Sequence, residues 1–255
     1  MGIKKNSENE KIRKSVDEFY RKISQDEYRT EVSPEEVSAS LGYSSEMMEW
    51  LPKGTDLGLS CGNPLENFEM ENGETLIDLG CGTGKDLFLT RIKYPDSGIL
   101  YGLDRLAEMI LKAEKIRDMK KFKNIEFRQG TLTSMPFDSE SMDKAISNCV
   151  INLEPEKQSV YNELYRILKN GGKFYISDIM LKKELPEEWK KSEKMHNTWV
   201  GGALLEEELE KIIEKAGFKN IIILKDEVTD AYAEKWGYGL KIKEYIQRGM
   251  IMGKK

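Results

Sequence analysis

Three glycines at alternate positions, Gly80, Gly82 and Gly84, follow an apolar run at residues 76–79 and precede a helical segment. Backbone amides at such a helix start can approach a ligand closely, the chemistry of a nucleotide or adenosyl cradle. About twenty residues further on, Asp104 ends a second short apolar run, where an acid accepts both hydroxyls of a ribose. Asp78 lies inside the first run, where a dinucleotide-binding turn stays apolar, and the spacing is Gly-x-Gly-x-Gly rather than Gly-x-Gly-x-x-Gly. A phosphate loop ending at Gly84-Lys85 would need a glycine at 79 and Ser or Thr at 86, but the chain has Leu79 and Asp86 there.

The elements that position these residues alternate between strand and helix, the pattern of a parallel sheet covered on both faces. Strands are expected at 76–79, 99–104, 125–129, 142–149 and 173–180, with helices at 85–94, 106–116 and 155–169. Asn170-Gly171-Gly172 should close the last of these helices. Further on, the spacing predicts helices over 185–199 and 205–216, a strand over 218–224 and an antiparallel last strand over 249–253. A helical insertion around 232–246 separates these two strands, and its Trp236 and Tyr238 suit either a substrate lid or a subunit contact. Upstream, residues 1–10 are expected to fray. Ile12, Val16, Phe19 and Ile23 form one helical face, and Ser33-Pro34-Glu35-Glu36 reads as a capped helix start. A short helix at 45–51 precedes an ordered loop at 55–68.

At 255 residues with 39% apolar content, the chain can bury a substantial core. Forty basic against 45 acidic residues argue against a nucleic-acid partner and for a small-molecule substrate. No apolar run approaches a membrane span, no secretory signal is present, and Asn6 stands where a myristoylation signal requires Ser or Thr. The expected compartment is the cytoplasm. The odd number of cysteines, Cys61, Cys81 and Cys149, argues against a disulfide framework and makes free thiols the expectation. Cys-x-x-Cys spacing is absent and His196 is the sole histidine, which removes a zinc reading.

The glycine motif resembles the first motif of class I S-adenosylmethionine-dependent methyltransferases. More specific segments are Leu41-Gly42-Tyr43-Ser44, Leu57-Gly58-Leu59-Ser60-Cys61-Gly62-Asn63-Pro64, Phe127-Arg128-Gln129-Gly130, Ile146-Ser147-Asn148-Cys149-Val150-Ile151-Asn152-Leu153 and Ile176-Ser177-Asp178. Together they resemble the arsenite S-adenosylmethionine methyltransferases, in the same order over roughly residues 15–220. The resemblance implies a Rossmann-like α/β fold with a mostly parallel seven-stranded sheet and helices on both faces. Residues 1–73 would form a helical cap and substrate loop, 74–180 the donor-binding core, and 181–255 the part completing sheet and pocket. It also implies S-adenosylmethionine as methyl donor, with Asp78, Gly80, Cys81, Gly82 and Gly84 around its methionine end, Asp104 and Arg105 at the ribose, Thr131 and Leu132 beside the adenine, and Asn148 beside the methionine moiety. From the residues alone, Cys81 reads as a small packed side chain, and Arg105 serves equally as a solvated helix-start residue.

In the resembled family, cysteine thiolates hold trivalent arsenic and its lone pair takes the methyl group. Soft thiolates suit that thiophilic centre. The matching residues here are Cys61 and Cys149. A further family cysteine is matched by Trp199, and the usual N-terminal cysteines are missing, with Asp26 and Glu27 in that vicinity. Two thiolates plus a solvent or small-thiol ligand remain available. His196 lies in the same segment as Trp199, either as a participant or as a packed imidazole. Trp189 and Trp199 could instead wall an aromatic pocket for an organic acceptor. Three functions stay open: methylation of a trivalent arsenical, methylation of an organic thiol, oxygen or carbon centre, and binding of donor or metalloid without turnover.

Overall fold

In the computed structural model, which describes residues 2–25, 27, 32–52, 54–235 and 237–255, seven strands form one sheet in the order β3-β2-β1-β4-β5-β7-β6. The strands are β1 Leu76–Leu79, β2 Leu100–Asp104, β3 Ile125–Gln129, β4 Met142–Asn148, β5 Leu168–Leu181, β6 Lys219–Asp226 and β7 Ile246–Lys254. The first five are parallel, and β7 inserts antiparallel between β5 and β6. The chain reverses direction across the sheet between β1 and β4. That reversal opens a crevice at the carboxyl ends of the strands, where ligands of such sheets bind.

Side chains of β1 alternate between two packed layers. Ile77 and Leu79 join Val160, Tyr161, Leu164 and Ile167 of α6 (Lys157–Ile167) and Leu209 and Ile213 of α9 (Glu206–Ala216). Leu76 faces the other layer, with Leu87 and Phe88 of α4 (Lys85–Lys93) and Ile110, Ala113 and Ile116 of α5 (Ala107–Lys120). Both helical spacings put the apolar residues on one stripe, so each helix covers one face of the sheet. A third cluster sits beyond the strand ends and gathers Ile23, Cys61, Cys149, Trp199, Val228 and Tyr232.

Several expectations need correction. The N-terminal helix α1 runs Gly2–Ser24, so residues 2–10 continue the helix rather than fray. Helix α6 ends at Ile167, and the Asn170-Gly171-Gly172 turn is drawn into β5. The β4–β5 register shifts between Met142 and Lys144, while the backbone of Gly171 and Gly172 bonds the terminal residue Lys255. The expected helix over 185–199 is broken into α7 (Glu187–Lys190) and α8 (Glu193–Asn197), because the Ser192 side chain caps a new helix start at Met195 N. In contrast, α2 (Pro34–Ser40) shows the full capping box of Ser33 and Glu36, and α3 (Ser45–Glu49) is capped by Ser44. The insertion between β6 and β7 holds α10 (Asp230–Lys235) and a single-turn helix at Leu240–Glu244. Trp236 and Asp26 lie outside the described residues.

Candidate active site

The glycine loop closes against β2. Gly80 N and Cys81 N donate to Leu103 O at 2.7 and 3.0 Å, and Gly84 N donates to Cys81 O at 2.8 Å. Gly80 takes φ +73° with Val150 against it: an added Cβ would stand 2.5 Å from Val150 Cγ2, so the position accepts only glycine. At Gly82 an added Cβ would meet nothing within 4 Å, so this face of the loop is open. The Asp104 carboxylate is fixed by two amides: Gly82 N donates to Oδ2 and Leu106 N to Oδ1, both at 2.9 Å. Burial raises the Asp104 pKa and these amides pull it back. Cys81 is buried with its sulfur against Gly102, the packing role expected for it.

Around this loop lies a cleft that opens to solvent and is lined from both the glycine loop and helix α1. The predicted residues Asp78, Gly80, Cys81, Gly82, Asp104, Arg105, Thr131, Leu132, Asn148 and Cys149 all border it. Gly84 and Cys61 do not: Gly84, at φ +87°, starts α4, and Cys61 is fully buried. Arg105 is neither free nor merely solvated, because its Nη2 pairs with Asp17 Oδ2 at 3.0 Å.

Polar side chains that sequence reasoning passed over complete one end of the cleft. Asn148 Nδ2 donates to Tyr43 Oη (2.9 Å), Gly62 O (3.0 Å) and Asp86 Oδ2 (3.1 Å), and Tyr43 Oη donates to Asp86 Oδ1 at 2.7 Å. Lys85 Nζ donates to Ser60 Oγ at 2.6 Å, lies 3.4 Å from Asp56 Oδ1 and sits 4.0 Å over the Tyr43 ring. The signals were present: Lys85-Asp86 directly follows the glycines, and Tyr43 and Ser60 lie in segments carrying the family resemblance. Asp78, Asp86 and Asp104 bring three buried or half-buried carboxylates to the loop beside Lys85, while the other lining cations, Arg13 and Arg105, are paired with Glu154 and Asp17, a lining that suits a positively charged ligand. Burial raises the pKa of Asp78, with Asp86 and Asp104 adding to it.

Helix α1 contributes Arg13, Val16, Asp17 and Tyr20 to the cleft, one face at helical spacing. Arg13 Nε donates to both carboxylate oxygens of Glu154 at 3.0 and 3.1 Å and its Nη2 pairs with Glu156. Arg21 Nε pairs with Glu108 at 2.9 Å. Hydrophobic periodicity marked this helix, but its ionic contacts are long-range and carry no local signature.

Cys61 and Cys149, 88 positions apart, are joined in a disulfide with their Cα atoms 5.7 Å apart. The expectation of free thiols is corrected here: the loop at 55–68 folds onto the end of β4, held by Asn148, whose Oδ1 faces Cys61 N at 3.4 Å. Cys149 sits at φ +60° and Trp199 at +68°, both unusual for residues with a side chain. Such conformations gather at functional sites. Trp199 borders the cleft next to Tyr20, ring centroids 6.4 Å apart. Trp189 packs on Tyr245 away from it, and His196 bonds Lys190 O at 3.2 Å, its pKa lowered by burial. Neither belongs to the cleft.

Residues 70–217 match the family model described as "Methyltransferase domain". The arsenite methyltransferase of Halobacterium salinarum is 36% identical over 219 residues, covering 86% of this chain and 56% of that protein. The human arsenite methyltransferase is 37% identical over 152 residues, 56% of this chain and 40% of that protein. The chain thus spans about half the length of the curated relatives it matches. Among solved structures, the arsenic(III) S-adenosylmethionine methyltransferase of Chlamydomonas reinhardtii superposes with a TM-score of 0.64 at 26% identity, covering 85% of this chain and 72% of that one. With this cleft and these relatives, the chain belongs to the S-adenosylmethionine-dependent methyltransferases, on the branch of the arsenite methyltransferases.

Proposed function

We propose that this enzyme transfers a methyl group to a small, soft nucleophile, most directly a trivalent arsenical held by the reduced thiols of Cys61 and Cys149. The observation carrying this reading is that two cysteines from distant segments meet beside the donor cleft, Cys149 bordering it and the buried Cys61 joined to Cys149 behind it. Chance core packing does not require both to stand at the strand ends beside the glycine loop.

In this reading the open face of the loop at Gly82 meets the methionine end of the donor, Asp104 takes the ribose hydroxyls, and Thr131 and Leu132 border the adenine. Asp78 and Asp86 balance the donor's positive charges, and Asn148 is held beside the methionine moiety by Tyr43 and Asp86. When bound, S-adenosylmethionine supplies a sulfonium methyl that a lone-pair nucleophile takes without a general base. The chain's own work is alignment and exclusion of water. Helix α1 closes over the cleft through Arg13, Trp199 and Tyr20 wall it, and Cys61 and Cys149, once reduced, fix the acceptor. Reduction of the pair accords with a cytoplasmic setting.

A second reading, methylation of an organic acceptor, draws support from the Tyr20–Trp199 wall and from the disulfide, which leaves no thiolate while it is closed. Methyl transfer measured on a panel of arsenite, organic thiols and oxygen acceptors, with Cys149→Ser alongside, separates the two. Arsenite turnover abolished by the substitution supports the first reading. Turnover of arsenite that ignores it removes the thiolate role.

A further inference from the structure

Trivalent arsenic takes three donors, yet this chain offers only two thiols at the site. The third cysteine, Cys81, is packed in the glycine loop against Gly102. We infer that Asp178 is the third donor, so that arsenite is held by two sulfurs and one carboxylate oxygen. This inference rests on the function proposed above and names the ligand set of that same site.

Asp178 reaches the sulfurs through the sheet. Strand β5 pairs with β4 so that Ser177 lies opposite Asn148, which brings the next residues, Asp178 and Cys149, side by side. Cys149 N donates to Ser177 O at 2.8 Å, and Cys61 Sγ lies 3.7 Å from the same carbonyl oxygen. One carboxylate oxygen of Asp178 and the two sulfurs all lie within 4.8 Å of one another, and all three residues are buried. The three donors come from a loop, a strand end and a neighbouring strand, so none could adopt this placement through local sequence alone.

The surroundings of Asp178 point the same way. A carboxylate that is only 4% exposed is normally ion-paired or bound to a cationic centre. Among the described residues no salt bridge reaches Asp178. Lys157, the nearest cation to influence it, spends its Nζ on the carbonyl oxygens of Asn152 and Glu154 at 3.5 and 3.1 Å. Its carboxylate accepts Ile179 N at Oδ1 (2.8 Å) and Asn152 N at Oδ2 (3.1 Å). Ile151 adds a backbone hydrogen bond, and with about four lone-pair directions on the two oxygens the carboxylate still keeps one for a further partner. These amides orient the group while leaving it able to bind.

The chemistry balances. A phosphine with one water, or two equivalents of a small thiol, first opens the disulfide, giving two Cys–SH groups and the phosphine oxide or the small-molecule disulfide. Each thiol then displaces one hydroxyl of As(OH)3: an As–S bond forms, an As–O bond breaks, and the thiol proton leaves in water. The remaining hydroxyl departs as a third water with one solvent proton as the Asp178 oxygen takes its place. Arsenic remains trivalent with its lone pair free. A monosubstituted arsenical such as phenylarsine oxide has only two exchangeable positions, so it needs the two sulfurs alone.

That difference supplies the test. The full chain, reduced with a phosphine, is titrated with arsenite and with phenylarsine oxide, and arsenic K-edge X-ray absorption counts the sulfur neighbours. For Asp178→Asn, arsenite binding weakens about tenfold or more, the loss of one donor, while phenylarsine oxide binds as before. For Asp178→Cys, the sulfur count on arsenite rises from two to three. The inference is overturned if Asp178→Asn weakens both ligands equally, which is the signature of a merely structural role, or leaves both unchanged. A folded Asp178→Cys with still two sulfurs on arsenic overturns it as well. If the unsubstituted protein takes up neither arsenical, the function proposed above falls together with it, whereas two-sulfur binding indifferent to Asp178 leaves that function standing.

Discussion

Replacing Asp104 by Asn keeps the side-chain shape at the end of β2 and removes its charge, so it tests the donor site without opening a cavity. In the structure Oδ2 accepts Gly82 N and Oδ1 accepts Leu106 N, each at 2.9 Å, and Asp104 borders the cleft. The amide of Asn can still accept through one oxygen, but its nitrogen cannot accept at all. One ribose hydroxyl therefore loses its acceptor, and either Gly82 N or Leu106 N loses a partner. A hydrogen bond to a charged group contributes about 1.5–3 kcal/mol, which corresponds to roughly a tenfold to hundredfold weaker binding of S-adenosylmethionine and S-adenosylhomocysteine. Isothermal titration calorimetry of the folded variant measures this directly. Binding within twofold of the unsubstituted protein would show that Asp104 does not hold the ribose and that the donor lies elsewhere.

Other outcomes follow from the same geometry. Gly102→Ala puts a Cβ 2.5 Å from Phe127 and 2.8 Å from the Cys81 sulfur, so overpacking should cost about 1–3 kcal/mol in urea unfolding; a neutral result would mean that the glycine loop and β2 are less tightly packed than described. Arg13→Ala frees α1 from Glu154 and Glu156, and stopped-flow release of S-adenosylhomocysteine should accelerate roughly tenfold, with a weaker salt dependence than in the parent; unchanged release would detach α1 from closure. Burial raises the Asp178 pKa from 3.8 to about 7. Between these values the folded state binds its proton more tightly than the unfolded chain, so its contribution is full below about 4 and is lost as pH rises to about 7. The stability difference between parent and Asp178→Asn, from urea midpoints, should move against the parent across that window; a flat difference refutes the shift.

Much of the fold was legible because its signals are local. The alternation of apolar runs and helical stripes located β1 through β4, and Ser33-Pro34-Glu35-Glu36 announced α2. Gly217 marked the end of α9, where it adopts φ +108°. Where tertiary pairing overrode the local signal, the reading failed. Asn170-Gly171-Gly172 looks like a helix stop, but the terminal residue Lys255 pairs with it and extends β5. Residues 185–199 have helical composition, yet Ser192 caps a second helix and splits them.

The site divides along the same line. The glycines, Asp78 and Asp104 act through spacing within one strand–turn–helix unit, so the motif carried them. The meeting of Cys61 with Cys149, and of both with Asp178, depends on a loop folding over the sheet and on the β4–β5 register, which no local pattern encodes. An odd cysteine count suggested free thiols, whereas the pair is set by proximity and Cys81 is the one left over. Trp199, read both as standing in for a family cysteine and as part of an aromatic wall, borders the cleft at a left-handed backbone position, whereas Trp189 does not border it. Arg13 was invisible as a site residue because its partner lies 141 positions away.

The account stands most directly on whether donor and acceptor share this cleft. A crystal structure of the phosphine-reduced protein with S-adenosylhomocysteine and arsenite, with data collected at the arsenic absorption edge, decides it. The account predicts the nucleoside at Asp104 and a single anomalous peak between Cys61 and Cys149, facing the donor sulfur. Arsenic found only at Cys81 or at the surface, or sulfurs still bonded and turned away from the bound nucleoside, would contradict it.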